Sequence, residues 1–349
     1  MKKLFAVIVL LETVLSFGSA VFAIKPAPDL GNPRIIVLAH NLQNYYINYD
    51  ESERPSYHDE AGLATKTQRI VDMMLASNAD IFAFCEVEAK PVSLQHLVDE
   101  LNDRVDSTAY AAVADEIYVQ TDSYDNAIKA GFIYRIATVE PYGSNYSATS
   151  ITYYKNVMRI QAWTEKATGE RFTLSMNHFK AKSDDASVAK RVENANWLMT
   201  ALGSYRVKDP DILAVGDFNA EMDEECISVI LNKGYEEQLL RFDEDAYSYI
   251  YRNNYELIDH AFANSTMAEQ ITGAAVWHTN TSVYSSSRYS DHDAVLVGLR
   301  LGKDEPIGPG EAVESLTVSD PQAQKILRQG QLIIIRGGAE YTITGQRLN

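Results

Sequence analysis

The chain has 349 residues, 46% hydrophobic and 23% charged, an ordinary globular composition long enough for one large core or two modest ones. Lys and Arg number 31 against 48 for Asp and Glu, and the resulting net charge of −17 excludes a nucleic-acid binder that works through a broad basic surface. Nucleic acid as a substrate stays open, because bound divalent cations invert the local field of an acidic cleft; with only Cys85 and Cys226, a disulfide scaffold and a Cys-rich zinc module are excluded as well.

Residues 1–23 place two lysines before an apolar run that closes on Val21-Phe22-Ala23, the layout of a secretory signal peptide cleaved after Ala23 or Ala20. Glu12 interrupts the run, which is short for a membrane span, and an uncleaved anchor is the competing reading. Export implies a secreted or cell-surface protein with its thiols in an oxidising compartment. Cys85 sits in the apolar run IFAFC and Cys226 in an acidic helical stretch, so two separate thiols are expected rather than a bridge.

Residues 34–39 (RIIVLA) read as a buried strand, followed by an aromatic and acidic loop over 44–60. Apolar residues at helical spacing (Leu63, Ile70, Met73, Met74) predict a helix over 63–77 ending near Asn78. A strand over 81–87 and a helix over 92–103 follow, then β-like runs at 110–119, 131–139, 151–163 and 171–179. A helix is expected over 186–203, a strand entering a polar loop over 211–220, and strands at 256–263, 273–279 and 293–301. Short strands with interspersed helices predict an α+β sandwich, sheet packed on sheet with helices outside. Residues 302–324 are Gly-, Pro- and acid-rich and read as a linker; 331–343 predicts a hairpin about a Gly-Gly turn. The expected organisation is a signal peptide (1–23), a catalytic domain (24–301), a linker (302–324) and a small β-hairpin unit (325–349).

Polar residues recur at the ends of the apolar strands. Asn41 follows IIVLAH, Glu86 ends IFAFC, Asn177-His178 ends FTLSM and Gly216-Asp217-Phe218-Asn219 ends ILAV. Ile258-Asp259-His260 and Ser290-Asp291-His292 follow. A strand fixes where its last residues point, so groups from several strand ends can meet in one cleft. Each motif alone also reads as an ordinary turn or the first solvated residue of a loop; it is six clusters in one order that point to a site.

That ordered set, spanning about 34–301 with GDFNA and SDHDAV as its most specific pieces, resembles the endonuclease/exonuclease/phosphatase superfamily of deoxyribonuclease I. NHFKAK (177–182), YELIDHAFANS (255–265) and AVWHTN (275–280) are similar to secreted bacterial extracellular nucleases within it. The resemblance implies a four-layered α/β sandwich of two packed, mostly antiparallel sheets. It also implies Mg²⁺-dependent cleavage of phosphate esters with DNA as the usual substrate, RNA as a second one, and a monomer without protein partners beyond the export machinery. Mn²⁺ is an expected substitute, and structural Ca²⁺ a further candidate without a loop motif to support it.

The residue types suit that chemistry, since in-line attack on phosphorus needs charge stabilised on the phosphoryl and leaving oxygens and Mg²⁺ takes hard oxygen ligands with one or two carboxylates. The expected metal ligands are Glu86, Asn41 and Asp291, in one site or two. Asp217 is the candidate to orient or deprotonate the attacking water, Asn219 to donate to a phosphoryl oxygen, and His178 to bind a phosphate oxygen. Asp259 and His292 form a carboxylate–imidazole pair, as charge stabiliser or general base. Lys180, Lys182 and Arg191 are weaker candidates for substrate phosphates, and Tyr247, Tyr249 and Tyr251 alternate as in a half-buried strand. His260 is expected on the opposite strand face from Asp259.

Competing readings keep the fold but change the substrate, to a phosphatase or a sphingomyelinase-type phosphodiesterase, or remove the activity, leaving a binding protein. The intact acidic and histidine set argues against the last. Residues 325–348 resemble the C-terminal sorting tails of type IX secretion cargo, with a stabilising β-hairpin as the alternative.

Overall fold

A computed structural model describes residues 24–47, 60–88, 92–114, 128–149, 156–205, 209–282, 288–302, 323–328, 331–336 and 339–342. The signal-peptide reading of 1–23, most of the 44–60 loop and the linker to residue 322 lie outside these residues. Among the described residues no helix is long and apolar enough to cross a membrane.

Two six-stranded sheets form the first unit, Met1–Gly302. The first sheet contains β1 (Ile35–Tyr45), β2 (Ile81–Glu88), β3 (Tyr110–Ala112), β4 (Ile128–Arg135), β13 (Ile271–Trp277) and β14 (Ala294–Leu299), in the order β13-β14-β1-β2-β4-β3. The second contains β5 (Val139–Thr149), β6 (Asn156–Glu165), β7 (Arg171–His178), β8 (Ile212–Asp217), β9 (Tyr235–Glu237) and β12 (Asp259–Asn264), in the order β5-β6-β7-β8-β12-β9. Each sheet holds one parallel pair, β1 with β2 and β7 with β8, and is otherwise antiparallel. A two-stranded ribbon, β10 (Tyr249–Tyr251) with β11 (Asn254–Glu256), stands apart from both sheets.

The alternation of the strands decides the layers. Ile35, Val37, Ala39, Ile81, Ala83 and Phe132 of the first sheet pack against Trp163, Phe172, Leu174, Met176, Leu213 and Val215 of the second, making the central core. The intervening residues Leu38, Phe82, Phe84 and Leu296 face outward, under helices α1 (Glu60–Ser77) and α2 (Val92–Arg104). Ile160, Ala214 and Phe262 do the same on the far side, under α3 (Asp185–Ser204) and α4 (Glu225–Leu231). Near-continuous apolar runs such as IIVLA and IFAFC follow from strands buried on both faces. At the start of α3 the Asp184 carboxylate accepts from the Ser187 N–H and fixes where the helix begins. The result is the expected α/β sandwich, helix–sheet–sheet–helix.

The differences from the sequence reading concern extents and short elements. β1 runs on through Tyr45, and α1 begins at Glu60, three residues ahead of the apolar repeat. β5 occupies a stretch to which no strand had been assigned, since Pro141 and Gly143 interrupt its pattern. The run 110–119 is a strand only over Tyr110–Ala112 within the described residues. Cys85 lies in the central core and Cys226 in α4, both free and buried. Unit two, Lys303–Asn349, holds a three-stranded antiparallel sheet: β16 (Gln331–Arg336) and β17 (Ala339–Thr342) form the expected hairpin, and β15 (Ala323–Arg328), a strand not expected, begins in the last two residues read as linker and pairs with β16.

Candidate active site

The two parallel pairs bring the candidate residues to one rim of the sandwich. Asn41 lies in register with Cys85 across β1 and β2, so the next residue, Glu86, stands at the same level, within the irregularity of β2 between Phe84 and Val87. In the second sheet His178 pairs with Asp217 across β7 and β8, and Asp217 with Asp259 across β8 and β12. His292 precedes β14, whose antiparallel partner is β1, and forms a bridge with Tyr249.

Gly216 makes the β7–β8 approach possible. Its φ is +128°, and a Cβ there would stand 2.2 Å from the Asn177 carbonyl oxygen, so only glycine is accommodated. Glu86 and Asn219, with φ of +54° and +49°, also occupy the left-handed region, where a side chain is tolerated at a cost that concentrates at functional sites.

On the first-sheet side, Glu86 Oε2 accepts from the Asn44 N–H at 2.9 Å and Oε1 from Asn41 Nδ2 at 3.2 Å. The same Asn41 amide donates to Asp217 Oδ2 at 2.9 Å, so Asn41 joins the two halves. Its carbonyl accepts from Ser290 Oγ at 2.6 Å, and Ser290 Oγ in turn accepts from the His292 N–H. Asp291 faces the same cleft, with its side chain 40% exposed. Burial weakens its acidity; the His292 imidazolium pulls the other way, and the charge of Glu86 adds a smaller repulsion.

On the second-sheet side, His292 Nδ1 donates to Asp259 Oδ2 at 2.7 Å, and His292 Nε2 lies 3.8 Å from Asp217 Oδ2. Burial by itself pushes the imidazole pKa down; the carboxylates of Asp259, Asp217 and Asp291 outweigh it and hold the value well above the ordinary one. Asp217 is buried and its pKa is raised by that burial, against the pull of His292, His178 and Asn41. Asp217 Oδ1 accepts from the Asn219 N–H at 2.8 Å, and Asn219 Nδ2 donates to the Phe179 carbonyl at 3.2 Å. His178 Nε2 stands 3.4 Å from Glu86 Oε1 and 3.7 Å from Asp217 Oδ2.

All eight sequence candidates therefore meet around one cleft, which has a volume of about 530 Å³ and is lined by Glu86, Asp217, Asn219, Asp291 and His292, with Tyr249 and Tyr251 on one wall. Two donor sets fit a divalent cation. Glu86 and Asp291, with Asn41 beside them, are oxygen donors whose mutual repulsion a dication relieves, a match to a hard ion that keeps its waters. Asp217, Asp259 and His292 also lie within 4.8 Å of one another, but all three are buried and the Nδ1–H of His292 is committed to Asp259.

Three weaker candidates resolve differently. Arg191 is buried, paired through Nε and Nη2 with Glu224 at 3.0 and 2.6 Å, and donates to the carbonyls of Lys180 and Lys182. It pins the loop after His178, at the edge of the cleft, with its charge engaged by Glu224. Of the tyrosines read as a half-buried strand, Tyr249 is half-buried and packs on the His292 ring at 4.9 Å, and Tyr251 is 49% exposed at the cleft. His260 points away from the cleft, as expected, with Nε2 2.9 Å from the Ala220 carbonyl.

Several contributors were missed. Ser248 Oγ accepts from the N–H groups of Ile258 and Asp259 and so sets the start of β12. Asp293 accepts from the N–H groups of Asn280 and Thr281 and from His278, holding the loop against which Asn280 Nδ2 reaches the His292 carbonyl. Its position directly after the Ser-Asp-His motif was the available signal. His40 is buried beneath the site, with its pKa lowered to about 3, first by burial. Lys66 of α1 donates to the Gln43 carbonyl at 2.7 Å; burial lowers its pKa to about 7, while Glu86 and Asp291 resist that shift. On a helix of mixed composition it carried no sequence signal.

Residues 38–292 match the model of the Endonuclease/Exonuclease/phosphatase family, and the chain belongs to that family. Its fold is shared by an endonuclease/exonuclease/phosphatase from Bacteroides vulgatus (15% identity, TM-score 0.55, covering 77% of this chain and 99% of that one). It is also shared by D. rerio TDP2 complexed with single strand DNA product (15%, 0.53, 76% and 99%) and by the Bacteroides thetaiotaomicron mannosyl-6-phosphatase Bt3783 (17%, 0.51, 76% and 100%). No curated protein matches by sequence. Family membership makes the chain a hydrolase of phosphoester bonds.

Proposed function

We propose that the chain is an exported, Mg²⁺-dependent nuclease that hydrolyses phosphodiester bonds of DNA. The observation that carries this reading is the meeting of two chemically distinct groups in one cleft: oxygen donors on the first-sheet side (Asn41, Glu86, Asp291), and an acid–base network in which His178, Asp217 and Asp259 of the second sheet meet His292 from the segment before β14. Two further features support a nucleic-acid substrate. The cleft is edged by exposed Tyr251, suited to a base or sugar face, and the same fold in TDP2 was solved with a single-strand DNA product.

Glu86, Asn41 and Asp291 would hold a bound Mg²⁺, which would supply charge stabilisation to the phosphoryl and leaving oxygens. The chain's own residues do the rest. The carboxylates around His292 favour its imidazolium form, which suits it to donate from Nε2 to a phosphoryl oxygen. Asp217, its carboxylate fixed by the Asn219 N–H and made more basic by burial, is the group that orients the water and takes its proton. Asp259 holds the imidazolium in place through Nδ1. His178 and the second N–H of Asn219 face the same oxygens.

The test is cleavage of supercoiled plasmid by the purified chain with Mg²⁺ and with EDTA, beside His292→Ala to exclude contaminating nuclease. Metal-dependent nicking absent from the variant is expected. Hydrolysis of a sugar monophosphate without DNA cleavage by the same preparation would replace the nuclease with a phosphatase. Export is tested by the N-terminal sequence of protein recovered from culture medium, expected to begin at Ile24 or Val21.

A further inference from the structure

The ribbon of β10 and β11 joins neither large sheet, yet it is fixed against the catalytic centre. At its base Tyr249 forms a backbone bridge with His292 and sets its ring 4.9 Å from the imidazole. The Asp293 N–H donates to the Ser248 carbonyl and the Asp259 N–H to Ser248 Oγ, so β10 is tied at its start to both segments that carry the Asp259–His292 pair. Strand alternation places Tyr251 on the side of Tyr249, about 7 Å further along. Both side chains line the cleft.

The tip of the ribbon holds that second ring in place. Arg252 and Asn253 join the two strands, and both are left-handed, with φ of +49° and +68°. Two such residues make the tight hairpin turn whose twist matches its strands, at a backbone cost that non-glycine residues carry mainly at functional sites. The Arg252 guanidinium lies 5.1 Å over the centre of the Tyr251 ring and makes no ion pair among the described residues. Backed by this cation on one face, Tyr251 is still 49% exposed. Its surroundings select against a phosphate. Glu256 stands opposite Tyr249 in the ribbon, and its acidity is weakened by burial and then by the charge of Glu221, which lines the same cleft. The part of a nucleotide that suits an aromatic face beside carboxylates is the uncharged base.

We infer that Tyr251, backed by Arg252, is a stacking subsite for one unpaired nucleobase of the substrate, on a nucleotide next to the bond that is cut. Any base presents a π-face to such a ring. Inside a duplex both faces are covered by neighbouring bases, so a base reaches the ring only from a single strand or after being opened out of the stack. The inference rests on the nuclease reading and deepens it: the preferred substrate is single-stranded DNA.

The test measures the full chain and Tyr251→Ala in Mg²⁺ on a single-stranded oligonucleotide, on its duplex, and on the same strand with one base removed at each position in turn. For the native enzyme, KM should be about tenfold lower on the single strand than on the duplex, and removing the base beside the cleaved bond should raise it by about tenfold. Tyr251→Ala should raise KM on the intact strand by a similar factor and abolish the effect of the missing base, because two losses that remove one contact do not add. Tyr251→Trp should restore the sensitivity, and Arg252→Gln should weaken it in part. A tyrosine with a merely structural role would depress every member of the scan alike. That result, a scan of the native enzyme with no sensitive position, or a preference for the duplex would overturn the subsite while the nuclease reading stands. Native enzyme that hydrolyses bis(p-nitrophenyl) phosphate but leaves every oligonucleotide intact would remove the nuclease reading, and the subsite with it.

Discussion

Asp259→Asn isolates the electrostatic part of the site, because it keeps the shape of the side chain and removes only its charge. The 2.7 Å contact from Asp259 to His292 Nδ1 is buried, and Asp259 is the strongest of the influences that keep the imidazole protonated against its own burial. Without it the balance tips toward the neutral ring, and the donor aimed at the phosphoryl oxygen is lost at neutral pH. A general acid–base contact of this kind is worth about 10²–10⁴ in kcat, or roughly 2.7–5.4 kcal/mol at 1.36 kcal/mol per decade. The pH profile gives a second readout. Activity in the native enzyme should fall on the alkaline side as pH rises through the raised His292 value, and on the acid side as pH falls through the raised Asp217 value. In Asp259→Asn the alkaline limb should move to lower pH while the acid limb stays bounded by Asp217. The folded-state linkage has the same sign: the imidazolium stabilises the fold fully below the ordinary histidine value, and that contribution fades as pH rises through the raised one. The assay is kcat and kcat/KM against pH at saturating metal, with a melting curve at each pH. An unshifted alkaline limb, together with a loss under about tenfold, would refute the assignment of His292 as a cationic donor sustained by Asp259.

Glu86→Gln keeps the bonds to Asn44 and Asn41 within reach but removes half of the carboxylate pair, so the Mg²⁺ concentration for half-maximal activity should rise by about 10–100-fold, measured by metal titration; an unchanged requirement would move the metal away from Glu86. Gly216→Ala forces a methyl group 2.2 Å from the Asn177 carbonyl at φ +128°. It should destabilise the fold by about 3 kcal/mol or more in urea unfolding, and wild-type stability would show that the β7–β8 contact relaxes freely. Arg191→Ala breaks a largely buried ion pair and two bonds to the loop after His178. With Glu224 partly exposed, the cost should be about 2–3 kcal/mol of stability, with no change in the salt dependence of DNA cleavage; a shallower salt slope would return Arg191 to the substrate.

The layers were legible because strands buried on both faces write long apolar runs, and the site was legible because its residues terminate those runs. Asn41, Glu86, His178 and Asp217 could each be placed at a strand end from sequence alone, and the two parallel pairs carry those ends to one rim. What was not legible shares a physical cause. Ser248, Asp293 and Lys66 act through main-chain hydrogen bonds, and a serine or lysine that caps a carbonyl or an N–H looks like any solvated residue. For the tyrosines, period-two alternation reports a ribbon but not which side of it water reaches: Tyr249 is half-buried against His292, while Tyr251, at the end of a ribbon that joins neither large sheet, is exposed. Arg191 was misjudged for the converse reason, since Glu224 lies in another element and their contact is made only by the packing of α3 against the start of α4.

Net charge is a poor guide to what such a cleft will bind, and the arrangement of these residues shows why. The acidic groups of the site are not a uniform field. Asp217 and Asp259 flank one imidazolium, and Glu86 and Asp291 repel each other in the same cleft. A positive charge held between such carboxylates offsets their field at an incoming phosphate. Counterions in low-dielectric surroundings act at short range and at strength, whereas the remaining carboxylates, spread over a solvated surface, are screened beyond about 8–10 Å. A chain with a large negative charge can therefore build a phosphate site, provided its carboxylates are spent on positioning cations.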